Sequence, residues 1–196
     1  VEASVLYVHG LNDFTVNPLA IDGWYDELPG FKRAIFGQWA HFYPYDAPST
    51  WARDDWYDTV HAWLDHELLG LDTGVEAWPP VQVQDESNTW RAVESFAGMG
   101  VEQSLPLGPS NVLGQAGTAG TTATFAERTP ISFDSPSLDE SLHLSGQAFL
   151  DATIAIDKTD AHLAFTLQEV PASGNARTLT RGYLSVQHQE DPNRGH

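Results

Sequence analysis

Two side chains in the first quarter of the sequence are of the types that proton-transfer chemistry needs: Asp13 and His41, 28 residues apart. Each sits in a turn just past a short apolar run. Val5 to Val8 reads as a buried strand that breaks at Gly10, and Asp13 follows three residues later. Lys32 to Phe36 reads as a second strand ended by Gly37, with His41 in the loop Gly37-Gln-Trp-Ala-His41-Phe-Tyr-Pro44. Open α/β sheets keep their sites at the carboxyl ends of strands. There, a carboxylate bonded to one imidazole nitrogen fixes the tautomer and leaves the other nitrogen to move a proton. Asp before His is also the order of the last two members of a triad that runs Ser, Asp, His. Each residue has a plainer reading as well. Asn-Asp turns bond their own backbone, and a lone loop histidine beside aromatics needs no function.

Other candidates are weaker. Trp39, Phe42 and Tyr43, with Tyr45, flank the histidine; they either wall a substrate cleft or cover the end of the sheet, and the sequence leaves both open. His9, at the end of the first strand, is expected to pack or bond locally. His61 and His66 are five apart on a helix and do not share a face, so no metal site is expected there. Asp151, Asp157 and Asp160 lack the glycine and terminal glutamate of an EF-hand loop. No metal and no cofactor is expected.

The elements that must position Asp13 and His41 follow from punctuation and periodicity. Asn17-Pro18 supplies an N-cap and a first-turn proline, predicting a helix to about Leu28, stopped by Pro29-Gly30. A second helix is expected from Thr50, with Trp56, Val60, Trp63, Leu64 and Leu68 as its apolar stripe and Gly70 as its stop. Residues 71–78 read as a linker. Beyond it come short alternating runs at Val81–Gln84, Ile131–Phe133, Leu142–Leu144, Phe149–Ile156, Leu163–Leu167 and Leu179–Val186, separated by Gly, Pro, Ser and Asp. That grammar predicts an antiparallel sandwich or jelly roll.

The words around the two residues are also familiar. His9-Gly-Leu-Asn-Asp13 and Trp39-Ala-His41 resemble the catalytic-acid and catalytic-histidine segments of the Xaa-Pro dipeptidyl-peptidase family, which shares its fold with cocaine-esterase-like acyl hydrolases. Trp78-Pro-Pro-Val-Gln-Val and Asn88-Thr-Trp90-Arg91 look like the entry into that family's jelly-roll domain, and Leu179-Thr-Arg-Gly182-Tyr-Leu resembles one of its strands. The resemblance implies an α/β plus all-β chain: residues 1–74 as the C-terminal part of an α/β-hydrolase sheet, and 75–196 as a jelly-roll β-sandwich. It also implies Asp13 and His41 as acid and base, and release of Xaa-Pro dipeptides. Two alternatives stand beside it: an ester or amide hydrolase of the cocaine-esterase-like group, and a non-catalytic binding module. A departure stands out. No Gly-x-Ser-x-Gly elbow occurs, and the nearest serine, Ser110 in Gly108-Pro-Ser110-Asn-Val, lacks the second glycine and follows the histidine. The expectation is therefore a C-terminal piece of a longer serine hydrolase. Its partners would be a peptide or small acyl substrate and the preceding part of the same hydrolase, with homo-oligomerisation left open.

Composition closes off several classes. With no cysteine, disulfides and cysteine catalysis are excluded. Twenty-seven acidic against nine basic residues, a net charge of −18, disfavour nucleic acid as a partner. The only lysines are Lys32 and Lys158, which with the acid surplus points to a salt-adapted source. No apolar run approaches the ~20 residues of a membrane-spanning helix.

Overall fold

A computed structural model of the chain describes residues 3–18, 24–48, 50–95, 102–114 and 121–186. Its first sheet begins with the two expected strands, β1 (Val5–Gly10) and β2 (Lys32–Gly37), paired in parallel. Their register runs from Val5 opposite Lys32 to Gly10 opposite Gly37. The two strand-ending glycines therefore lie side by side, and both loops leave from the same sheet edge. Neither glycine can take a side chain. A Cβ on Gly10 would lie 2.2 Å from the Trp39 carbonyl oxygen, and one on Gly37 would lie 1.7 Å from the Trp39 ring.

Period-two alternation along β2 divides the core between the two sheet faces. Ala34 and Phe36 pack with Tyr25 and Val81, while Ile35 packs with Trp39 and Ala47. Strand β3 (Val81–Gln84) joins β2 in parallel, and β4 (Trp90–Val93) adds an antiparallel edge, giving the order β1-β2-β3-β4. The β2–β3 connection carries α1 (Trp56–Leu69), closed by Gly70 in the left-handed region at φ 65°. Its Trp63 stacks on Phe31 at 5.3 Å.

Two helix expectations change. The helix expected from Asn17 to Leu28 is absent at its C-terminal end, where residues 24–27 form turns; 19–23 lie outside the described residues. Around this turn Lys32 Nζ donates to the carbonyls of Tyr25, Asp26 and Leu28 at 2.7, 2.8 and 2.9 Å. The Leu28 amide donates to the Tyr25 carbonyl at 3.2 Å, an i, i+3 turn bond rather than an α-helical one. The second helix starts at Trp56 rather than Thr50 because the Pro48 carbonyl first accepts the amides of Trp51 and Ala52 in a separate turn. Asp55, at the cap position, makes no capping bond, and its carboxylate pairs with Arg53 at 2.8 Å.

By contact, the chain divides into two compact units, 1–98 with 147–196, and 99–146. In the first, the late alternating runs become β5 (His162–Glu169) and β6 (Arg177–Ser185), an antiparallel pair with an irregularity at Leu167/Gln168. Arg177 ties this hairpin to the β3–β4 turn through Glu86 at 2.7 Å. The runs at 131–133, 142–144 and 149–156 are not strands; an isolated bridge from Val112 to Asp134 is the pairing found there. Leu142, Leu144, Phe149, Leu150, Ile154 and Ile156 are exposed. Alternation provides a sheet face only when a neighbouring strand supplies cross-strand partners, and β5 and β6 pair with each other. Among the described residues the chain is thus mostly β, in two sheets with one α-helix, consistent with a β-sandwich C-terminal domain.

Candidate active site

The turn after β1 is closed by the Asp13 amide bonding the Gly10 carbonyl at 3.1 Å. This buries the Asp13 side chain, which is 7% exposed. One carboxylate oxygen, Oδ1, accepts the amides of Thr15 and Val16 at 2.8 and 2.9 Å. The other, Oδ2, lies 2.9 Å from Nδ1 of His41. Burial pushes this carboxyl up, but the bonds from Val16, His41 and Thr15 outweigh it and hold it below its ordinary value. Asp13 is therefore ionised at neutral pH, and Nδ1 of His41 is the donor. A neutral His41 then carries its lone pair on Nε2, which has no hydrogen-bond partner among the described residues. The side chain is 63% exposed. An oriented imidazole with an open Nε2 is the arrangement of a general base.

The two loops are also fastened to each other. Leu11 and Asn12 donate their amides to the carbonyls of Gly37 and Trp39 at 2.8 and 3.1 Å. The Asn12 side-chain amide donates to the Gln38 carbonyl and to Gln38 Oε1, at 2.9 and 3.1 Å. Gln38 in turn clasps Gln84, the buried last residue of β3: its amide donates to Gln84 Oε1 at 2.9 Å, and its Nε2 donates to the Gln84 carbonyl at 2.8 Å. Sequence reasoning missed this relay of Asn12, Gln38 and Gln84. The partners lie 26 and 46 residues apart, and each is a common polar residue. The one available signal is a glutamine ending a strand that otherwise joins the core.

The three candidate substrate contacts separate. Trp39, 1% exposed, is a core residue packed against Gly10 and Gly37. Phe42 and Tyr43 are exposed. Tyr43 stacks on Tyr45, whose ring is 4.9 Å from that of Tyr57. The bond with Tyr57 and the nearby Asp46 charge push the Tyr45 hydroxyl up to about 12. Ser110 lies in a single 3-10 turn, Pro109–Asn111, at φ 58°, and no strand leads into it. A cavity of about 330 Å³ is lined by the β5–β6 hairpin, including His162 and Tyr183, and involves neither Asp13 nor His41. Among the described residues, no group of three or more His, Asp or Glu side chains could hold a metal ion. None of the described helices is long and apolar enough to cross a membrane.

Strands β3 to β6, which follow this pair in sequence, lie in a segment that family comparison identifies. Residues 73–195 match the model of the X-Pro dipeptidyl-peptidase C-terminal non-catalytic domain, and the chain belongs to that family. Asp13 and His41 precede the matched residues. The chain is 39% identical over 108 residues to the Xaa-Pro dipeptidyl-peptidase of Lacticaseibacillus casei, covering 52% of this chain and 13% of that protein. It is 38% identical over 93 residues to a Streptomyces avermitilis protein provisionally given the same name, covering 46% of this chain and 13% of that protein. With the Xaa-Pro dipeptidyl-peptidase of Streptococcus pneumoniae it aligns across 97% of its own length and 31% of the relative's, at 25% identity. The chain thus spans 13% of the length of the first two relatives.

Proposed function

We propose that Asp13 and His41 are the acid and base of a serine hydrolase that releases Xaa-Pro dipeptides from peptide N-termini. In this reading residues 1–74 are part of an α/β-hydrolase sheet and 75–196 a jelly-roll domain. The nucleophilic serine is supplied by polypeptide outside these 196 residues, which contain no Gly-x-Ser-x-Gly. The observation that carries the reading is the 2.9 Å bond from exposed His41 to buried Asp13. His41 Nε2 takes the serine proton as the hydroxyl attacks the scissile carbonyl. It then returns that proton to the leaving amine as the acyl-enzyme forms, while Asp13 stabilises the intervening imidazolium. Water repeats the cycle to free the dipeptide.

The test uses the longer polypeptide that contains this chain. It should cleave Ala-Pro-p-nitroanilide, reject the N-acetylated substrate, and lose roughly 10⁴-fold in kcat on Asp13→Asn. The 196-residue chain alone should resist fluorophosphonate labelling. Turnover of simple esters only, or of blocked and free peptides alike, would move the assignment to the cocaine-esterase-like acyl hydrolases. Full activity of the Asp13 and His41 variants would leave a binding module, the reading favoured by the non-catalytic description of the family matched at 73–195.

A further inference from the structure

His9 faces the same turn from the strand side. Its Nε2 lies 3.0 Å from the Val16 carbonyl, which can only accept, so Nε2 carries the proton. In the neutral ring Nδ1 is then an acceptor, and the Tyr7 hydroxyl is 3.0 Å away to donate to it. The Tyr7 ring stacks on the imidazole at 5.7 Å and 6°. It also packs against Trp24, Tyr25 and Phe36. Burial, and the Asp13 charge after it, raise the Tyr7 hydroxyl above its ordinary value, so it stays a donor. Val16 is thus held at both ends. Asp13 takes its amide, and His9 takes its carbonyl. The two bonds close a ring of contacts around the carboxylate that His41 uses. His9 Nε2 is 3.9 Å from Asp13 Oδ2, too far for a hydrogen bond, which leaves that oxygen to His41 at 2.9 Å.

We propose that His9, held by Tyr7 as the neutral Nε2–H tautomer, is a positioning residue that locks the 13–16 turn and so aims Asp13 Oδ2 at His41. This rests on reading Asp13 and His41 as acid and base, and its test reads the turn directly. In the native 196-residue chain, nitrogen-15 NMR of the histidine rings should show His9 as a single Nε2–H tautomer. His9→Phe keeps a ring and removes the donor. It should raise amide exchange at Val16 about fivefold and erase the bonded Nδ1 proton signal of His41. His9→Gln restores a donor at a similar reach and should recover both. Tyr7→Phe should spread His9 over both tautomers.

A native His9 protonated at Nδ1 overturns the proposal without any variant. So does a folded His9→Phe variant with unchanged Val16 exchange and an intact His41 proton signal. Failure of the acid–base reading looks different: the longer protein would keep its hydrolysis after His41→Ala, whatever the histidine spectra show.

Discussion

Residues 3–48 and 121–161 are written in equally readable apolar patterns and meet different ends. In the first stretch, Val5 to Val8 and Ala34 to Phe36 become paired strands, with Ala34, Ile35 and Phe36 fully buried. In the second, Leu142, Leu144, Phe149, Ile154 and Ile156 alternate as strands do, yet they belong to no ladder and stay exposed. The difference lies in what surrounds the pattern. β2 has a strand on each side and side chains on both faces, Trp39 and Ala47 over one and Tyr25 over the other. A period-two pattern states which way side chains point; it becomes structure where a partner edge and a covering layer exist.

The largest effect should come from removing the covering layer. Trp39→Ala is expected to cost about 3–5 kcal/mol in urea unfolding, whereas Phe149→Ser should stay within about 0.5 kcal/mol. Equal costs would erase the contrast between the two regions. A second effect depends on pH. Because Asp13 has its carboxyl held below the ordinary value in the fold, it adds stability above the unfolded value of ~4 and loses it as pH falls through the folded value. The gap in Tm between wild type and Asp13→Asn should therefore be widest near pH 7 and narrow below about pH 4; a constant gap would mean that the carboxylate's bonds do not stabilise the fold. The smallest effect belongs to the hairpin. Arg177 is half exposed and bonds both Glu86 and Glu169. Arg177→Ala should cost at most about 1 kcal/mol, and less at high salt. A larger loss would show that the hairpin is fastened to the first sheet as firmly as β2 is.

The acid–imidazole pair was legible because each residue follows a glycine that ends an apolar run, and because the words around both resemble those of one family. Strands β1 and β2 were legible for the same reason, and β3, β5 and β6 from period-two alternation. The Asn17-Pro18 capping signal marks where a helix could start and says nothing of its far end, where residues 24–27 form turns and Lys32 gathers three carbonyls. The Asn12–Gln38–Gln84 relay was illegible, since it joins groups whose types are ordinary and whose proximity only the fold creates; for His9 a local bond was expected, and Val16 is its partner. Trp39 was read as one of several aromatics around the histidine. Its role as the lid on two glycines depends on the register that brings Gly10 beside Gly37.

Gln84 carries a consequence for how such a chain can be cut and recombined. It lies inside the segment matched by the family called non-catalytic, yet it grips the backbone of the residue before Trp39, three short of His41. A graft that kept residues 1–74 and exchanged everything after them would leave the Gln38 amide facing whatever side chain the newcomer ends its strand with. Modules joined at that seam are therefore not interchangeable parts. A donor domain would have to bring a first strand that pairs in parallel with β2 and closes on an amide side chain.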